Sequence, residues 1–524
     1  MKYRIIVAAI VLLSHTSLFP HSDPFPIKSL QEGFLTSGTA ISDFRRVTPF
    51  DSVDCPLQNY VQLGNDGKQL HLHWIAEINE KSSTGIYTAP DTWSGADYLR
   101  LQIITDVKNY YSYCYYFFPL GNLYDAIRRP DFIIDESWNS NYSYTSSTDD
   151  NQWIIEAVIP YSDLRFFGSP PYHWKIILTR YFKASDETYS VPVVHTRLGK
   201  DYFRKALPVV IKEKIRGAKP LFIRPYALTT YDRQRQEFIF KEDDVGIDIS
   251  CWLSQATDVK FSFKPDFSDI PLDDELDIYN LKFAPSYDEN RYFFIEDMDV
   301  FGLDYNTFYS RHVLQPEYGF KIISNNDRFS WGILSTKESS DEVDHRDFFN
   351  ILACNPTSEF YSLPVIILNR TDGKYHNDVL IFSPDCEIAK NHFLKLDLRL
   401  STLHDSASDH VGYNFEIGYN LLSRYLNLTL ETRHMSRDFR LDMGRIYEDD
   451  FYGWTAKIER NIEFNNRFLR EIRSSLWLNE EIDNSSNDLL ERFMFSELEL
   501  ELQKKVSFLV EYQYVRELFQ DKYY

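Results

Sequence analysis

Leu394, Leu396, Leu398 and Leu400 alternate with Lys395, Asp397 and Arg399, and the same two-residue rhythm returns in Val411 to Leu421, Leu426 to Glu431, Leu498 to Gln503 and Phe508 to Tyr514. A period of two sends successive side chains to opposite faces of a strand, so each segment presents one apolar and one polar face. Several runs exceed the roughly 5 to 6 residues usual for soluble strands. Consecutive long strands of this kind are the pattern of a barrel with lipid outside and a polar lumen. Roughly fourteen candidates follow Leu221, within the boundary error of such readings. A soluble antiparallel sheet also alternates, its apolar face turned to a core. The modest total of 19 Gly and the Leu-Glu alternation at Leu498 to Leu502 suit that alternative.

No later apolar stretch approaches the length of a membrane helix, about 20 residues. Any passage through a bilayer must then use a closed barrel, which satisfies every backbone polar group in lipid. At the N-terminus Lys2 and Arg4 precede an apolar run from Ile5 to Leu13, the form of a secretory signal peptide over residues 1–20. Residues 21–40 read as a linker, with Pro24, Pro26, Gly33 and Gly38 among small polar residues.

A chain of 524 residues exceeds the roughly 250 to 300 residues at which one core stops growing, which predicts two large domains. The 39 Phe and 36 Tyr against 5 Met favour strands. A net charge of -22 excludes nucleic acid as a partner, since phosphate recognition needs a basic footprint. Cys55, Cys114, Cys251, Cys354 and Cys386 are odd in number and dispersed, which fits neither a disulfide framework nor a zinc site.

Between residues 41 and 210 the strands are shorter: Leu70 to Ile78, Tyr98 to Thr105, Tyr110 to Phe118, Trp153 to Ile159 and Trp174 to Tyr181 are the clearest. Strands at this spacing with turn signals between them predict a β-sandwich. The basic, proline-marked stretch Ile211 to Pro225 is the domain boundary, and 221–524 forms the second unit. The expected fold is all-β, an N-terminal β-sandwich followed by a C-terminal antiparallel transmembrane β-barrel.

Two regions carry a family resemblance. Ile41 to Asn79, Gly95 to Leu99, Phe118 to Gly121 and Trp153 to Phe166 resemble the family 9 carbohydrate-binding-module-like domain. Lys264 to Gly302, followed by Phe308 to Val313, closely resembles a bacterial outer-membrane barrel family, the domain of unknown function 5916, and Ser436 to Gly444 looks like a further barrel segment. Members of that family carry such a sandwich before the barrel, so the resemblance implies an outer-membrane location with the N-terminal domain in the periplasm. The sequence departs from the family at Lys264, where asparagine is usual, and at Tyr292, where proline is usual. It also ends sooner after Gly444 than the family pattern implies, which suits a smaller barrel or an incomplete sequence.

Read on its residues alone, the same hallmark crowds Asp266, Asp269, Asp273, Asp274, Glu275 and Asp277 ahead of Arg291, Phe293 and Phe294. Such a segment suits a polar lumen or its mouth, with Arg291 pairing a carboxylate; a solvated loop is the alternative.

Sugar binding needs aromatic faces that stack on a pyranose and polar groups that hold its hydroxyls. Trp74, Trp93, Tyr98 and Trp138, with Asp97 and Asn139, are the candidate suppliers, whereas Trp153 and Trp174 sit in apolar strands and read as core. His71 and His73 share a strand face without a third metal ligand, and Glu296, Asp297 and Asp299 read as structural acids before a glycosidase pair. No nucleophile elbow or phosphate loop is present. The expectation is a non-enzymatic barrel protein that binds a carbohydrate or cell-envelope glycan, passes a solute, or both, without metal or cofactor. Its other partners would be outer-membrane lipid and the barrel-assembly machinery, for which the aromatic end Tyr523–Tyr524 is a compatible signal. The alternative is a secreted or surface enzyme of carbohydrate catabolism acting on O-glycosyl bonds.

Overall fold

The computed structural model describes residues 24–29, 40–264 and 289–523, apart from shorter stretches inside those spans, among them 106–111, 196–199, 240–244 and 339–346. The signal-peptide reading of 1–20 and the acidic run from Asp266 to Asp277 lie outside the described residues.

Among the described residues, thirteen strands make a first assembly in two layers. One runs through Tyr124–Arg128, Ser112–Phe117, Tyr98–Ile104, Tyr172–Phe182 and Leu207–Ile211; the other through Asn59–Asn65, Gln69–Glu77, Gln152–Pro160 and Ser143–Thr148. In Gln69–Glu77 burial alternates residue by residue, turning Leu70, Leu72, Trp74 and Ala76 inward. Trp153, Ile155, Ala157 and Ile159 of the antiparallel neighbour do the same, and Leu99, Leu101 and Ile103 meet them from the other layer. The core is therefore the interdigitated inner faces of two sheets, the packing of a sandwich.

The linker reading of 21–40 requires correction. Phe25–Ser29 is a strand that pairs in parallel with Leu207–Ile211 in one layer and with Asn59–Asn65 in the other. Ile27 is buried in the core, so the strand is held by packing as well as by backbone bonds. Two nearby prolines concealed it, although proline is tolerated where a strand begins or lies at an edge.

Among the described residues the second sheet has eighteen strands. Setting aside the short Tyr361–Ser362, Asp385–Ala389 and Lys522–Tyr523, fifteen principal strands follow one another antiparallel from Leu221–Ala227 to Ser507–Phe519. The later ones are long: Asp409–Leu422 has 14 residues and Leu469–Asp483 has 15. Register places Ile322, Ile333, Leu352, Ile367, Leu380, Leu400 and Tyr413 directly opposite one another across seven neighbouring strands. These side chains face outward; Leu352 is 46% exposed and Leu400 46%. An exposed apolar row in register across so many strands is far larger than the scattered apolar residues of an ordinary soluble surface.

The opposite face is covered on one side. Ile323, Leu334, Phe349, Ile351, Ile366, Leu368, Val379 and Ile381 are buried against Phe294, Val300, Phe301, Phe308 and Val313, and against Phe439, Leu441 and Met443. Both covering segments come from inter-strand connections, 264–315 and 436–450. Their contacts reach from Gly319 to Gly412, so the sheet curls around them. Two glycines permit this fit: a Cβ at Gly332 would stand 2.8 Å from the Phe301 ring, and one at Gly412 only 2.2 Å from the Phe439 nitrogen.

Candidate functional site

Trp93, Tyr98 and Asp97 come together at one end of the sandwich. Trp93 is 45% exposed and stands edge-on to Tyr98, Tyr116, Phe118 and Tyr124, with ring centroids 5.3 to 5.8 Å away. Such edge-to-face contacts fix the indole while leaving part of it to solvent. Ile86 and Tyr87, on the loop beside it, are 66% and 76% exposed. The Ile86 N–H donates to the Ser94 carbonyl, and Asn122 donates from Nδ2 to the Ile86 carbonyl at 3.1 Å, which fixes that loop. Asp97 is buried and accepts from the Lys183 N–H at 2.8 Å. Burial pushes its carboxyl above the usual carboxylate range, with the backbone bonds opposing the rise. Its role here is to fix the 182–183 turn against the aromatic cluster.

The other candidates stand elsewhere. Trp74 is fully buried in the sandwich core, its Nε1 donating to Asn59 Oδ1 at 3.3 Å, in phase with Leu70 and Leu72. Trp138 is half-buried against Tyr113 and Tyr115, and Asn139 beside it is exposed. His71 lies 3.0 Å from Asp66 and His73 3.7 Å from Glu156. Among the described residues no three His, Cys, Asp or Glu side chains converge on a metal position. Glu296 and Asp297 lie outside the described residues.

Tyr116, Phe118, Tyr124 and Tyr181 escaped the sequence reading. The available signal was the alternation in Tyr110 to Phe118, which turns Tyr113, Tyr115 and Phe117 to the core and Cys114, Tyr116 and Phe118 to a second cluster.

In the second sheet, the inward face of the later strands is charged. Lys395 donates to Glu416 at 3.3 Å, Arg399 to Asp397 at 2.7 Å and Arg473 to Glu501 at 3.0 Å, while Arg433 pairs with Glu481. Arg291 anchors the inward-folded connection. It is buried, donates from Nε and Nη2 to Glu289 at 2.8 and 2.6 Å, and caps the Val313 and Ser310 carbonyls at 2.6 and 2.8 Å. The expectation that Arg291 pairs a carboxylate therefore holds, with Glu289 as partner. One bidentate ion pair satisfies a bend that would otherwise bury bare carbonyls.

The two units touch at the ends of strands of the second sheet. Arg165 lies 3.7 Å from Asp258 and over the Trp252 ring; Arg204 pairs with Glu387 and lies over Phe360. His195 and the Phe50 N–H meet Glu463 at 2.8 and 3.0 Å, and Arg424 donates to the Phe50 carbonyl at 3.0 Å with its guanidinium 4.2 Å from that ring. Arg470 donates to Asp186 at 2.8 Å.

Residues 219–330 match the family described as Domain of unknown function (DUF5916), a stretch that includes the segment from Lys264 to Gly302 that resembles it. A comparison of the sequence with curated proteins finds no match. Among solved structures, Pseudomonas aeruginosa OccK11 (OpdR) is 10% identical and aligns over 81% of this chain and 90% of its own, at a TM-score of 0.30. OpdK with vanillate, from the same organism, is 10% identical over 82% of this chain and 94% of its own, also at 0.30. Likenesses this distant carry no inference about the function of this chain.

Proposed function

We propose that this chain is an outer-membrane β-barrel protein in which residues 221–524 span the membrane, the lumen passes a polar solute, and the sandwich faces the periplasm and binds glycan. The observation that carries the reading is the apolar row from Ile322 to Tyr413, one residue per strand and in register, on the face away from the charged interior. In water such a row is a large aggregation liability; in hydrocarbon it is the required surface.

Connection length supports this sidedness. At one end of the strands lie the short turns 253–256, 326–328 and 423–425 with the longer 357–364 and 383–391, and at the other the long connections 264–315 and 436–450 with the tight turn 373–374. Short turns belong to the periplasmic side of such barrels. The sandwich contacts Asp258, Arg424, Glu463 and Arg470, all at or beside the short-turn end.

The later strands leave a lumen face of paired charges, which suits a hydrated path for a polar solute. On the sandwich, the partly exposed indole of Trp93 with Tyr98 beside it is the surface that fits the apolar face of a sugar ring. The chain expressed with its leader should fractionate with the outer membrane and migrate faster on gels before heating than after. Liposomes containing it should take up small polar solutes. Recovery in the soluble fraction, or liposomes as tight as empty ones, would reject the reading.

A further inference from the structure

We propose that the sandwich is the barrel's own detachable stopper, held across the short-turn mouth by an ionic latch; this rests on the barrel reading above. Counting the fifteen principal strands in order, Arg165 meets Asp258 on the third, and Arg204 meets Glu387 between the eighth and ninth. Phe50 and His195 meet Arg424 between the tenth and eleventh and Glu463 at the end of the twelfth; Asp186 meets Arg470 on the thirteenth. In the ring that the barrel reading implies, the third strand and the tenth and eleventh lie on opposite arcs. A single packed body tied to both must cross the opening.

The named ties are ion pairs and hydrogen bonds, with Arg165, Arg204 and Arg424 also lying over the rings of Trp252, Phe360 and Phe50. That is the character of a separable interface between domains. Arg204 and Glu387 are nearly buried, with side-chain exposures of 10% and 6%, so breaking this pair leaves a poorly solvated charge behind. The latch also touches the aromatic platform. Asp186 holds Arg470 with one carboxylate oxygen and accepts from the Tyr181 hydroxyl at 2.7 Å with the other, and Tyr181 stacks on Tyr98 at 4.9 Å. A ligand on Trp93 and Tyr98 therefore sits two side chains from the rim.

The test uses the full chain in planar lipid bilayers, with heat-modifiable migration as the check that each variant folds. R204E removes the tie to Glu387, and the swap R204E/E387K restores it with reversed sign. D186N removes the ionic part of the tie to Arg470 while keeping a residue that accepts the positive φ of 56° at that position. R204E and D186N should each raise the fraction of time spent conducting by about tenfold over wild type, and the swap should return it to the wild-type value. Equal conducting fractions in wild type, R204E and D186N would overturn the stopper, as would a swap that stays open. Channel activity in none of the four proteins would overturn the barrel reading, and the stopper with it.

Discussion

Asp125 is buried in the sandwich, accepting the Ser140 N–H at 2.6 Å, and burial lifts its carboxyl to about 7. A raised carboxylate means that the folded state binds the proton more tightly than the unfolded chain. Stability is then fully present below the unfolded value, about 4, and falls as pH rises towards about 7. D125N keeps the acceptor and loses the titration, so the wild-type decline in melting temperature across that window should be smaller in D125N. Thermal unfolding at successive pH values checks this. At Trp93, W93A should weaken glycan retention about tenfold in affinity electrophoresis, while W138A leaves it nearly unchanged. Equal losses would place the sugar elsewhere. Position along a strand was legible for these residues, but partnership was not. Trp74 shares the phase of Leu70 and Leu72, a signal for burial already present in LHLHWIAEI, yet its indole alone suggested a ligand contact. Asp97 lies just before the strand Tyr98–Ile104, whose residues after Tyr98 are buried on both faces, so alternation does not separate the two.

In His392–His404 and Asp409–Leu422 the alternation is clean, with apolar residues exposed on one face and paired charge on the other. That rhythm disappears between Val365 and Leu368, a run of four apolar residues. Ile367 there faces outward, whereas Ile366 and Leu368 meet the inward-folded connection. A strand apolar on both faces cannot advertise which side is which, so the covering of this wall was not readable from period alone. The covering should be mechanically necessary. G332V would drive a branched side chain into the Phe301 ring and cost about 1 to 3 kcal/mol, seen as a lower heat-modification temperature. On the other face, L400R places a charge in the apolar row and should cost about 2 to 4 kcal/mol if that level lies near the bilayer midplane, read from unfolding in lipid vesicles. A cost below about 0.5 kcal/mol would mean that the row meets water.

For the whole molecule, the order of sandwich and long-stranded sheet was readable because strand length and phase change near Ile211 to Pro225. What joins the two units was hidden. The ties bring Phe50 to Arg424 and Asp186 to Arg470, hundreds of residues apart, through side chains that look like any solvated charge in the sequence. Every larger claim depends on the outward face of the long strands lying in hydrocarbon. The direct measurement is a nitroxide scan along His392–His404 in lipid vesicles, with the native cysteines replaced by serine. Positions 396, 398 and 400 should be relaxed by dissolved oxygen and shielded from a water-soluble nickel chelate, with 395, 397 and 399 showing the reverse. If both sets respond alike to the chelate, the sheet stands in water and the account is wrong.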